Sequence, residues 1–340
     1  MLYITTRGNK DAFTAYRTLV ANEATDGGQF LPFAMSSYDA NAISALASKS
    51  FGETVAELLN RFFSSQLTGW DVDFAIGRNA VKLVSMNHRI AIAELWHNPV
   101  GKFTYIVNSL YKKICGESTP ADTPTRWVTI AVRISVLFGL YGELLRSGTI
   151  DLEEILDISV PADDFSCFMA AWYARKMGLP IGRIICTCGD GSALWDLINR
   201  GVFSPTDSDA ALLPGVERLI QGTLGFDEAN LFFEKCGNNC SYSIDEEQLP
   251  ILNSDLFCAV TGAQRGESIV NSVFRSNNYI IDPETAVCYG GIQDYRAKVG
   301  DSRITLLFAE KTPMVSADFI TSATGISKQK LLQYISLEVK

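Results

Sequence analysis

Along the chain, stretches with apolar residues at three- and four-residue spacing alternate with short β-branched runs. That alternation is the pattern of an α/β protein. Helical periodicity predicts helices over Asp11–Glu23, Ser37–Ser48, Gly52–Phe63, Tyr105–Lys113, a long Trp127–Leu145, Phe165–Met177, Ser192–Arg200 and Asp227–Cys236. Four more are predicted over Ser268–Asn277, Pro283–Arg296, Ser316–Ala323 and Lys328–Tyr334. Strands fit Lys82–Ser85, Ile90–Leu95, Ile181–Thr187 and Arg303–Phe308. Gly178-Leu179-Pro180 and Gly189-Asp190-Gly191 punctuate the turns between elements. Residues 116–124 form the one long polar, proline-containing connection and so a mobile-loop candidate. Phe165, Phe168, Met169, Trp172, Tyr173 and Met177 recur at helical spacing, which marks core.

With 340 residues the chain can hold one large domain or two ordinary ones. A net charge of −9 with no Lys/Arg block excludes a nucleic-acid binder, which needs a basic face to displace counterions. No apolar run looks long enough for the roughly 18–20 residues that span a bilayer. The opening MLYITTRGNK lacks the apolar core of a signal peptide, so cytoplasm is the expected address. Eight cysteines fall mostly inside apolar runs, where Cys acts as a small buried hydrophobe. Cys236 and Cys240, and Cys186 with Cys188, lack the paired-knuckle form of a zinc site, so reduced thiols and no metal are expected.

The order of motifs resembles threonine synthase, a pyridoxal-phosphate (PLP) enzyme of fold type II. Thr6-Arg7-Gly8 followed by Asp26-Gly27-Gly28-Gln29-Phe30-Leu31-Pro32 resembles that family's start, and SFGETVAELLNRFF (50–63) resembles its next helix. ELWHNPVGKF (94–103) resembles the segment that ends at the PLP lysine, and Arg133-Ile134 lies in a long helix resembling another family helix. Residues 160–189 and Asp282-Pro283-Glu284-Thr285-Ala286-Val287 resemble later family segments. The resemblance runs from end to end. It implies an α/β scaffold of the threonine synthase and tryptophan synthase β type, a three-layer sheet with helices on both faces. It divides the chain into an N-terminal helical region, 1–80, and a large-domain core, 81–340.

Where the chain departs from the family, the departures fall on the chemistry. Aligned on His97, Pro99 and Phe103, the lysine column holds Thr104, and a hydroxyl cannot form the imine that holds PLP. Lys102 sits two residues earlier, about 200° away around a helix, as the alternative anchor. The family's glycine phosphate loop is replaced by Ala162-Asp163-Asp164-Phe165-Ser166. Glycine's close approach is lost there, and a phosphate meeting a carboxylate at about 5 Å costs roughly 3 kcal/mol at an effective dielectric near 20. Asp163 or Asp164 is expected to cap the following helix instead. Glu284 replaces a family histidine, and Ala309 stands near the column that faces the pyridine nitrogen. Only residues 106–126 occupy the place of the mobile small subdomain, too few for even one βαβ unit of about 30 residues.

The expected residual cleft is His97, Asn98, Lys102, Thr104, Asp163, Asp164 and Glu284. His97 reads as a hydrogen-bonded structural residue, His88 as surface, and Cys167 beside His97 as a remote catalytic pair. No cofactor is expected; PLP on Lys102, in an active lyase of amino-acid metabolism, is the alternative. The reading is therefore a pseudoenzyme that binds an unidentified small molecule or protein partner. Loss of the subdomain would bare an apolar face that needs a partner subunit, so a homodimer or a hetero-complex is the expected assembly.

Overall fold

The computed structural model describes residues 1–9, 11–21, 23–77, 81–87, 89–97, 103–116, 126–162, 165–300 and 303–338. Strand β1 (Leu2–Thr5) lies between β2 (Phe13–Thr14) and β3 (Phe30–Pro32) in a small antiparallel sheet. Helix α1 (Ala15–Val20) follows β2 and is shorter than its periodicity suggests, because Phe13 and Thr14 extend to pair with Tyr3 and Leu2. α2 (Ala40–Ser44) continues as a 3-10 turn to Ser48. α3 (Phe51–Phe63) and α4 (Gly69–Ile76) each open on a capping box, Ser50 with Glu53 and Thr68 with Asp71, which satisfies amides the helix leaves open. Segment 1–80, expected as helical, thus carries a sheet as well.

The remaining chain builds one six-stranded sheet. In order come β4 (Lys82–Met86), β5 (Ile90–Glu94), α5 (Thr104–Cys115), α6 (Trp127–Arg146), β6 (Leu156–Pro161), α7 (Phe165–Lys176), β7 (Ile181–Cys188) and α8 (Ala193–Arg200). An excursion follows through β8 (Val202–Phe203), α9 (Leu213–Leu224), α10 (Phe226–Gly237), β9 (Tyr242–Ser243) and α11 (Leu249–Leu252). The chain returns as β10 (Leu256–Val260), α12 (Ala263–Asn277), α13 (Pro283–Val299) and β11 (Thr305–Ala309), and ends in α14 (Ala317–Thr324) and α15 (Lys328–Glu338). Sheet order is β10-β7-β6-β11-β5-β4, parallel except for the antiparallel edge strand β4. Parallel strands covered on both faces read as continuous apolar runs, and Ile90–Glu94 is buried throughout.

Alternation along each strand divides the core in two. Ala91, Ala93, Ile184 and Leu306 join the α6 and α7 side, whereas Ile90, Ile92, Ile185 and Leu307 join the α12 and α13 side. The larger core also takes in Tyr3, Phe30 and Phe62, so the first eighty residues share it. The expected stripe of Phe165, Phe168, Met169, Trp172, Tyr173 and Met177 is buried there. Contrary to the sequence expectation, α6 is long and apolar enough to cross a bilayer; 89% of that stretch is buried, with α3, α5 and α7 packed around it. Among the described residues, α5 alone stands between β5 and α6. Chain order reverses between β6 and β11, so the crevice favoured for ligands lies at the carboxyl ends of β5, β11 and β6.

Candidate functional site

At the end of β5, Glu94 is fully buried and needs partners for its charge. The Tyr279 hydroxyl donates to its Oε1 at 2.5 Å, His97 Nε2 lies 2.8 Å from Oε2, and Lys82 Nζ approaches to 3.7 Å. The Trp96 ring lies against the His97 ring with centroids 3.8 Å apart. His97 is thus hydrogen-bonded to a carboxylate, that of Glu94 and not of Asp163 or Asp164. Strand alternation turns Glu94, like Ile90 and Ile92, toward the α12 and α13 side.

Across the sheet, on the α6 side, Arg133 is 4% exposed and grips Glu310, the residue after β11. The pair is bidentate, with Nη2 to Oε2 at 3.1 Å and Nη1 also on Oε1. Arg133 Nη1 donates to Cys167 Sγ at 2.9 Å, and the Cys167 thiol reaches toward Glu310 Oε1 at 3.5 Å. Beside the pair, Leu95, Leu137, Cys167 and Phe308 close around a space of about 10 Å³. That is room for one water.

The opening motif is structural. Thr6 hydrogen-bonds Glu217 of α9, Arg7 Nη2 meets the same carboxylate at 3.1 Å, and the Arg7 guanidinium lies 3.4 Å from the Phe233 ring centre. Asp26 accepts from Thr5 at 2.8 Å and from the Gly28 amide at 2.9 Å. Burial holds the Glu217 carboxyl above its usual range and pushes the neighbouring Arg218 guanidinium down to about 10.

None of the eight cysteines is in a disulfide. Cys186 and Cys188 of β7 nonetheless meet Cys258 of β10, with all three sulfurs within 4.8 Å of one another. Hydrogen bonding with Cys188 foremost lifts the Cys186 thiol well above its ordinary range, and hydrogen bonding with Cys186 foremost lowers Cys188. Register, which no local spacing reveals, makes this cluster: Cys258 pairs with Cys186 across neighbouring parallel strands.

Of the residues expected in the cleft, Asn98, Lys102, Asp163 and Asp164 lie outside the described residues, as do Pro99 and His88. Thr104 is the first residue of α5, half-buried, after Phe103 turns the chain at φ +55°. Glu284 does not join His97: it sits in the first turn of α13 and pairs with Lys311. Asp282, which caps α13 through the Glu284 and Thr285 amides, is buried, and burial pushes its carboxyl up to about 6. Sequence reasoning missed Glu94, although it stands only three residues before His97, at the end of β5. It also missed Tyr279, Glu310 and Cys258, each carried in from a distant element.

Residues 2–78 match the sequence model of the threonine synthase N terminus. The whole chain superposes on yeast threonine synthase with a TM-score of 0.82 at 17% identity, covering 97% of this chain and 91% of that one. The chain has the threonine synthase fold. PLP-bound threonine synthase from Brucella melitensis gives a TM-score of 0.78 at 18% identity, covering 96% of this chain and 92% of that one. In sequence, threonine synthase-like 1 of Homo sapiens is 24% identical over 174 residues, 47% of this chain and 23% of that protein. Threonine synthase of Saccharomyces cerevisiae is 22% identical over 189 residues, 48% of this chain and 37% of that protein. The match thus spans under half of either relative.

Thr104 offers no amine where the family resemblance places the anchor, and Arg133, Glu310 and Cys167 pack into the crevice at the carboxyl ends of β11 and β6. A space of about 10 Å³ falls far below the several hundred Å³ of an ordinary small-molecule pocket. A larger hollow, about 430 Å³, lies at the amino ends of β5 and β11 between Arg89, Asp151 and Glu154. That is the edge of the sheet opposite the one ligands favour.

Proposed function

We propose that this chain is a threonine synthase-like protein that has lost PLP binding and catalysis and acts by binding a small metabolite or a protein partner. The observation that supports it most is the buried Arg133–Glu310 pair at the carboxyl ends of β11 and β6, where the void that Leu95, Cys167 and Phe308 close beside it has room for a single water. A doubly charged cofactor would have to displace a paired carboxylate and guanidinium, each already desolvated. Thr104 adds a chemical reason, since a hydroxyl cannot replace an amine in imine formation. A cytoplasmic setting near amino-acid metabolism belongs to the same reading.

Absorption spectroscopy tests it. PLP titrated into the purified chain should give a spectrum equal to the sum of the two components. A saturable visible band at one equivalent would instead favour an active PLP-dependent lyase anchored on Lys102.

A further inference from the structure

We propose that Cys186, Cys188 and Cys258 form a three-sulfur site for a soft monovalent cation, copper(I), which enters as one thiol proton leaves to solvent, so that one thiolate and two thiols balance its charge. The site is independent of the crevice and of the functional reading above. Cys186 and Cys188 share one face of β7, two residues apart, and Cys258 stands opposite Cys186 on β10. All three are at most 4% exposed, and all belong to the α7 and α8 side of the core. Their sulfurs lie within 4.8 Å of one another, and Cys188 and Cys258 are 3.3 Å apart. A metal–sulfur bond of about 2.3 Å sets three sulfurs around one ion roughly 4 Å apart. No separation exceeds that value by more than 0.8 Å and the Cys188–Cys258 pair falls 0.7 Å short of it, so loading needs shifts of under about an ångström.

A buried cysteine by itself is an ordinary small hydrophobe. Three converging sulfurs are a ligand set, and the set selects among ions. Thiolate sulfur favours copper(I) and zinc. Structural zinc takes four ligands, and among the described residues no further Cys, His or carboxylate joins the three. Burial leaves no open approach for water as a fourth ligand. Three-coordinate copper(I) satisfies what the site offers. A disulfide between Cys188 and Cys258 fits poorly: the two are offset by two residues on neighbouring strands, which puts their Cα atoms about 8 Å apart, beyond the usual limit near 6.8 Å.

Anaerobic titration of the reduced, metal-free chain with copper(I) held by a competing chelator is the test, followed by X-ray absorption at the copper edge. The expected result is uptake of one equivalent with three sulfurs around the metal. Cys258→Ala and Cys188→Ala should each weaken binding by more than about 100-fold, beyond the loss of an outer-shell partner. Cys288→Ala, buried on the opposite side of the sheet, should bind as the parent does. No stoichiometric uptake, tighter binding of zinc(II) than of copper(I), fewer than three sulfurs, or equal weakening by Cys288→Ala would overturn the assignment. The stoichiometry and sulfur count use the unmodified chain, so they stand even where a variant fails to fold.

Discussion

Replacing Glu310 with alanine removes the carboxylate that faces the Arg133 guanidinium from across the crevice. Arg133 is 4% exposed and the Glu310 side chain 15%, so the pair sits mostly out of water. At an effective dielectric near 20, charges about 3 Å apart attract by roughly 5 kcal/mol, part of which desolvation offsets. Breaking one side of a buried pair costs about 3–5 kcal/mol, because the remaining charge is left in a poor solvent. Since Glu310 touches some solvent, the lower end, about 3 kcal/mol, is expected for Glu310→Ala. An exposed pair would lose only about 0–1 kcal/mol. Arg133→Met with Glu310→Leu removes both charges and should recover most of the loss, since apolar replacements of buried pairs are often neutral. Urea unfolding of the parent, Arg133→Met, Glu310→Leu and the double variant closes a cycle that isolates the coupling, with Glu310→Ala measured beside it. A Glu310→Ala chain within about 0.5 kcal/mol of the parent would refute the claim that this pair is buried and mutually neutralised.

Asp282 carries a pH signature. Its carboxyl is lifted by burial from 3.8 to about 6, so the folded chain holds that proton where the unfolded chain has released it. Stability from this group is therefore greatest below about pH 4 and falls by about 3 kcal/mol as pH rises to about 6. Asp282→Asn keeps an acceptor for the cap and should flatten that fall; urea midpoints between pH 4 and 7 check it, and parallel profiles would count against it. Tyr279→Phe removes the donor to buried Glu94 and should cost about 1.5–3 kcal/mol by urea unfolding. Gly178 has φ +101° and sits where a Cβ would strike the Tyr38 carbonyl, so Gly178→Ala should cost more than about 1 kcal/mol. An unchanged midpoint would show that this turn can relax.

Much of the scaffold is legible in the sequence because local pattern and tertiary role agree there. Periodicity alone locates α3, α6 and α7 within a residue or two, since each presents apolar side chains that the core then covers. The central strand β6 escapes the same reading. Its LDISVP run carries Asp157 and Ser159, polar residues whose burial depends on partners elsewhere, such as the Cys288 carbonyl that accepts from Ser159 at 3.0 Å. β10 escapes because five residues after a loop give too short a run to separate from its surroundings. The site follows the same division. Thr104 is visible by its place after Phe103 in a recognisable segment, whereas Glu310 meets Arg133 from 177 positions away. Cys258 meets Cys188 across 70 positions, through a strand register that only the fold sets.

The most direct measurement is reduction with borohydride in the presence of excess PLP, followed by intact-mass and peptide analysis of the purified chain. The account predicts unmodified mass apart from scattered, substoichiometric surface lysine labelling. One equivalent of reduced cofactor fixed to a single residue, Lys102 above all, would contradict it.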